Sequence, residues 1–185
     1  MDNGACSYRR FLDGDDTGLS EIVKDYKDGL TLYLNGIVSN VFVAEELMEE
    51  TFFRLITKKP GFNPDHSFKT WLYTIGRNVA LDYLRRSSKL SDTPADELSS
   101  LIKEESDLEM SYIAEENKIA LHRALKKIAP DYRQVIWLVY FEGLTSAEAS
   151  AVMRKNSRQM KNLLYRAKNA LRTQLEKEGF TYEDL

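Results

Sequence analysis

The chain has 185 residues, 26 basic and 29 acidic, with hydrophobic and charged fractions of 43% and 30%, the balance of an ordinary globular protein with one domain or two small ones. No stretch approaches the roughly 20 apolar residues that span a bilayer and the start lacks a signal peptide, so neither membrane insertion nor export is expected. A lone Cys6 cannot form an internal disulfide, and with only His66 and His122 beside it a Cys/His zinc site has too few ligands. The reducing cytoplasm is the expected compartment, and no cofactor is expected.

The net charge of −3 is unevenly divided. Residues 1–90 hold 13 acids and 12 bases, residues 91–116 hold 9 acids and one base, and residues 117–185 hold 7 acids and 13 bases. A balanced start, an acidic middle and a basic end imply different partners for different parts. With only 9 Gly and 4 Pro, long helices are expected throughout.

In chain order, Tyr8–Leu12 predicts a short helix ending near Gly14, and Ile22, Tyr26, Leu30 and Leu34 mark a second. A third carries Val41, Ala44, Leu47, Met48, Phe52, Leu55 and Ile56 and stops before Pro60-Gly61. Residues 62–67 read as a loop entering a fourth helix, whose apolar stripe is Leu72, Ile75, Val79 and Tyr83. Residues 87–111, rich in Ser, Asp and Glu, are expected to be a flexible linker, too poor in apolar surface to offset the entropy of ordering.

A second block begins near Ile113. Leu121, Leu125 and Ile128 form a stripe, and Pro130 suits the first turn of the next helix, which runs to Gly143. Thr145 and Glu148 have capping-box spacing, opening a short helix to about Met153. After a turn, Asn156 or Ser157 can cap a long helix with Met160, Leu164, Ala167, Leu171 and Leu175 on one face. The predicted fold is all-α: a domain over 1–89, an acidic linker over 90–112 and a helix-turn-helix domain over 113–185.

The final helix and its turn carry seven bases and no acid from Arg154 to Arg172. Cations such as Arg154, Lys155, Lys161 and Arg166 can neutralise phosphates, while the forked or amide side chains of Arg158, Gln159 and Asn162 can read base edges. A charge run is more often a solvated face, but the cap, the turn and the unmixed sign favour DNA binding. In the first block, Asn78, Asp82 and Arg85 share the helix face opposite the apolar stripe. That face can follow a nucleic-acid strand beside aromatics that stack on unpaired bases, or it is an ordinary amphipathic surface with Asp82 paired to Arg85 or Arg86.

The stretch from Phe68, Trp71 and Leu72 through Arg77, Asn78, Asp82, Arg85 and Arg86 closely resembles the promoter-melting region of sigma factors of the extracytoplasmic-function type. Upstream, the run from Ala44 to Phe52 resembles that family's polymerase-binding helix, and Tyr165-Arg166-Ala167, Leu171 and Leu175 resemble the end of its second DNA-binding region. The resemblance covers residues 8–89 and 113–178. It implies that Glu45, Glu46, Glu49 and Glu50 face basic partners on core RNA polymerase while Leu47, Met48 and Phe52 bury apolar area there. It implies that Phe62, Asn63, Asp65, His66, Ser67, Trp71, Asn78 and Asp82 serve −10 promoter recognition, with Arg77, Arg85 and Arg86 on the DNA backbone. It places Arg154, Lys155, Ser157, Arg158, Gln159, Lys161, Asn162, Tyr165 and Arg166 on the −35 element. Members are often restrained by an anti-sigma factor, which makes that a candidate partner.

The chain departs from the family pattern at Val43, Glu46 and Glu49, at Ala149 in place of an Ile, and at Arg154-Lys155, where the turn commonly holds Gly and an apolar residue. Two rival readings are a stand-alone helix-turn-helix regulator and a helical hydrolase using Glu46, Glu49 and Glu50. The first has no evident dimer helix, and the second no nearby His or nucleophile. The expectation is therefore a non-enzymatic polymerase subunit.

Overall fold

A computed structural model describes residues 3–90 and 114–179, and every regular element among them is helical. The N-terminal block consists of α1 (Asn3–Leu12), α2 (Asp16–Val38), α3 (Val41–Lys58) and α4 (Phe68–Leu90). The C-terminal block consists of α5 (Ala114–Lys127), α6 (Pro130–Ile136), α7 (Ser146–Met153) and α8 (Ser157–Lys177). Most of the expected linker lies outside the described residues. Its anticipated first residues, 87–90, instead continue α4, because no Gly or Pro stands between Gly76 and Pro94 to stop the helix.

Asp15 starts α2 by accepting from the Thr17 backbone N–H, and Asn40 starts α3 by accepting from Val43 N–H. Between α2 and α3, Ser39 closes the helix in the left-handed region at φ 54°. This tight reversal sets α2 and α3 side by side. Against α2, α1 packs closely, since a Cβ on Gly18 would run into the Ser7 carbonyl oxygen. Across this layer runs α4, burying Leu72, Val79 and Ala80 against Leu30, Leu34 and Leu55.

In the C-terminal block, Pro130 occupies the first turn of α6 as expected. The helix does not run on regularly toward Gly143: Trp137–Phe141 form a π-helical turn in which the two end rings stack at 4.4 Å. Thr145 and Glu148 form the predicted capping box, and α8 opens with a second one between Asn156 and Gln159. Val135, Leu138, Leu144, Val152, Met160 and Ala167 fill the space between α6, α7 and α8.

The two blocks are not separate bodies. Helix α6 packs on α2 and α7 packs on α4, so the apolar residues of both blocks form one continuous cluster.

Candidate nucleic-acid and protein interfaces

On α3 the helical period separates two stripes. Ala44, Leu47, Thr51, Phe52 and Leu55 are buried, with Thr51 donating its hydroxyl to the Leu47 carbonyl. Leu47 and Phe52, expected to bury area on a partner, are thus committed to the protein's own core, 6% and 5% exposed. Met48 is half-buried, and Glu50 is paired with Arg54 at 2.7 Å. The open face instead carries Glu45, Glu46 and Glu49 between Phe42 and Phe53, which are 72% and 58% exposed. These two aromatics were not among the expected contact residues. The signal was an excess of apolar residues on α3 beyond one buried stripe.

The loop before α4 is built by local hydrogen bonds. Asn63 Oδ1 accepts from the Asp65 backbone N–H at 3.0 Å, His66 N–H reaches the Asn63 carbonyl, and Ser67 Oγ caps Thr70 N–H. Asn63, Asp65 and His66 face solvent. Phe62 turns inward onto Phe68 and Trp71, with centroids 5.6 and 5.2 Å away, and Tyr8 and Tyr26 complete an aromatic cluster at the start of α4. The Tyr8 hydroxyl donates to the Pro60 carbonyl at 2.8 Å, tying the loop's entrance to α1.

Helical spacing sets Trp71, Asn78, Asp82 and Arg85 on one side of α4. Trp71, Asn78 and Asp82 are partly buried, whereas Arg85 and Arg86 are exposed. Arg85 pairs with Asp82 at 3.0 Å and Arg86 donates to the Asp82 carbonyl, so the carboxylate holds one arginine and the backbone the other. Arg77 is placed elsewhere. Its side chain points to the C-terminal block and donates to Gln134 Oε1 at 3.1 Å.

On α8, Ser157, Arg158, Lys161, Asn162, Tyr165 and Arg166 are all exposed, opposite buried Met160 and Ala167, with Tyr165 at 69%. Gln159 is exposed too, but its amide oxygen accepts from Asn156 N–H at 3.0 Å, which ties the side chain back to the start of the helix. In the turn, Arg154 adopts φ 52°, the conformation a glycine would take without steric cost, and Lys155 is drawn back to Asp131 at 3.1 Å. Lys168 lies over the Tyr140 ring.

Glu148 lies where α7 meets the start of α4. Partial burial opposes its ionisation, but hydrogen bonds from the Thr145 hydroxyl and backbone N–H, with the Thr70 and Ser67 hydroxyls nearby, outweigh that and hold its carboxyl below the usual range. Among the described residues no cluster of three His, Cys, Asp or Glu side chains is arranged to hold a metal, and no helix is long and apolar enough to cross a membrane.

Residues 22–90 match the family described as Sigma-70 region 2, and residues 118–171 match Sigma-70, region 4. The chain is 28% identical over 159 residues to the ECF RNA polymerase sigma factor BldN of Streptomyces coelicolor, covering 85% of this chain and 60% of that protein. It is 27% identical to SigW and 28% identical to SigM, ECF RNA polymerase sigma factors of Bacillus subtilis, covering 88% and 83% of this chain and 91% and 93% of theirs. Among solved structures, the sigma factor RpoE of Bartonella quintana, complexed with the anti-sigma factor NepR, superposes with a TM-score of 0.65 at 21% identity, over 85% of this chain and 96% of that one. CnrH, complexed with the cytosolic domain of CnrY, does so with a TM-score of 0.65 at 19% identity, over 95% and 99%. These two likenesses establish the shared fold.

Proposed function

Because this chain belongs to the extracytoplasmic-function sigma factors, subunits that direct RNA polymerase to promoters, we propose that its two blocks divide that task between polymerase, the −10 element and the −35 element. The observation that carries this reading is the presence, in one chain and in family order, of both promoter-recognition regions, each with an exposed face of suitable chemistry.

The acidic and aromatic face of α3 docks on core polymerase through Glu45, Glu46 and Glu49, with Phe42 and Phe53 supplying the apolar area. Fully desolvated aromatics ringed by charges are the usual energetic centre of such contacts. The loop Asn63–Ser67 and the Trp71/Asn78 side of α4 receive an unpaired base of the −10 strand. Extruding a base costs a few kcal/mol of stacking and pairing, which contacts with this loop and the aromatic cluster beneath it must offset. Arg85 and Arg86 lie along that strand's phosphates.

Helix α8 enters the major groove at the −35 element. Arg158 and Asn162 address base edges, and Lys161, Arg166 and Arg154 contact phosphates. Gln159 serves first as a cap and only secondarily as a reader. The chain contributes binding and strand separation, while RNA synthesis belongs to the polymerase, so it acts in the cell interior where polymerase works. An anti-sigma partner is proposed by likeness to relatives solved in such complexes. A stand-alone regulator would need only the second region and is not favoured, since residues 22–90 match the first.

The test is reconstitution. The full chain, mixed with core RNA polymerase, should bind it and yield specific transcripts from a promoter library. Absence of polymerase affinity would reject the reading.

A further inference from the structure

The seven bases from Arg154 to Arg172 are not equally available. Among the described residues, Arg154, Arg158, Lys161 and Arg166 are exposed and make no ion pair. The other three are engaged. Lys168 lies over the Tyr140 ring at 5.3 Å, Arg172 pairs with Glu176 at 2.9 Å, and the Lys155 ammonium sits 3.1 Å from the Asp131 carboxylate on the first turn of α6. Two of these engagements are remote from the reading end of α8. At about 1.5 Å per residue, Lys168 and Arg172 stand about 15 and 21 Å beyond Arg158, past a major groove about 12 Å wide.

Lys155 is different, because it stands in the turn itself, beside Arg154 and directly before Asn156, the cap of α8. The backbone of the turn is tied down: Arg154 and Lys155 N–H donate to the Ala151 and Ser150 carbonyls at 3.3 and 3.0 Å. Only 26% of the Lys155 side chain is exposed, so its methylene stem is covered while its ammonium is paired. An ion pair as exposed as the Asp131 side of this one is weak by itself. Here a phosphate that drew Lys155 away would also uncover the stem and leave the Asp131 carboxylate unpaired within a lysine's length of the duplex.

We infer that Asp131 limits the strength of promoter binding by holding Lys155 out of the phosphate contacts, so that the turn presents the duplex with one cation, Arg154, where its sequence carries two. This rests on the −35 assignment of α8 proposed above. The consequence is a weaker grip on all DNA alike, because phosphate contacts carry no sequence information and strengthen binding to every duplex. A genome presents vastly more non-specific sites than promoters, so one phosphate contact fewer leaves less of the protein held where there is no promoter.

The test uses the full chain assembled with core polymerase, bound across a salt series to a duplex carrying the −35 element and to one with that element scrambled. Asp131→Asn keeps the shape of the side chain and frees Lys155. Both duplexes should bind more tightly, with the slope of log K against log salt steeper by about 0.9. The gain over the unaltered chain should shrink about threefold between about 50 and about 200 mM salt. Such a gain cannot come from a misfolded variant. Lys155→Met, which keeps the stem, should leave the slope as it was, and the double variant should return slope and affinity to those of the unaltered chain. If Lys155→Met alone flattens the slope by about 0.9, Lys155 already reaches the phosphates and the inference falls. It falls equally if Asp131→Asn changes nothing, or if its steeper slope persists in the double variant, where only the charge of Asp131 itself could be responsible. Lys161→Ala and Arg166→Ala are the controls: if neither alters binding to either duplex, α8 is off the −35 element, and that assignment fails together with this inference.

Discussion

The two promoter-facing regions solve different problems. On the N-terminal block, the candidate strand-binding residues are partly buried and already occupied: Phe62 and Trp71 sit in an aromatic cluster, Asp82 holds Arg85, and Arg77 is turned toward Gln134. On the C-terminal block, Arg158, Lys161, Asn162 and Arg166 project freely from α8. The contrast follows the ligand. Duplex DNA is a regular rod of negative charge, so exposed cations on a rigid helix suffice. A single unpaired base must be held in a shaped site, and shape comes from packing, which requires burial.

The largest expected effect strikes that packing. Phe68→Ala removes a fully buried ring that touches Tyr8, Tyr26, Phe62 and Trp71, and should cost about 3–5 kcal/mol in chemical denaturation. A loss under about 1 kcal/mol would mean the aromatic cluster does not support the loop.

Asn78→Ala should slow promoter opening about tenfold or more, read by permanganate reactivity of the −10 strand, with little change in polymerase affinity. Equal losses in both assays would remove Asn78 from the strand-binding site.

Caps come next. Thr145→Ala should cost about 1 kcal/mol, as should Asn156→Ala, each measured by thermal melting of the full chain. The Glu148 carboxyl is held below its unfolded value, so its contribution is present at neutral pH and fades as pH falls through that depressed value. Glu148→Gln should flatten the acid side of the stability profile.

On the open side of the comparison, Lys161→Ala or Arg166→Ala should leave stability nearly unchanged while reducing the slope of log K against log salt by about 0.9 for −35 duplex. An unchanged slope places the residue off the DNA. The smallest effect belongs to Arg154→Gly, which relieves the left-handed turn at φ 52° but frees the unfolded chain. The melting temperature should move by only a few degrees, and phosphate affinity should fall slightly.

Much of this was legible before any coordinates. The period of Leu72, Ile75 and Val79, the Thr145/Glu148 box, Pro130 at a helix start and the unmixed charge from Arg154 to Arg172 are local, and local signals are written within a few residues of where they act. The expected linker ran four residues into α4 because polar composition argues against burial without forbidding helix. On α3 the apolar residues outnumber one stripe, and the resemblance placed Phe52 on the polymerase contact, whereas packing buries Phe52 and leaves Phe53 outward.

What the sequence determined by itself was therefore the set of helices, their caps and the sign of charge along them, since backbone hydrogen bonds and i to i+4 neighbours depend on nearby residues alone. What only the tertiary structure decided was which of two apolar stripes is buried, where Arg77 points, and that Glu142 meets Lys69, 73 positions away. Those outcomes depend on surfaces brought together from distant parts of the chain, and no local pattern encodes which surfaces meet.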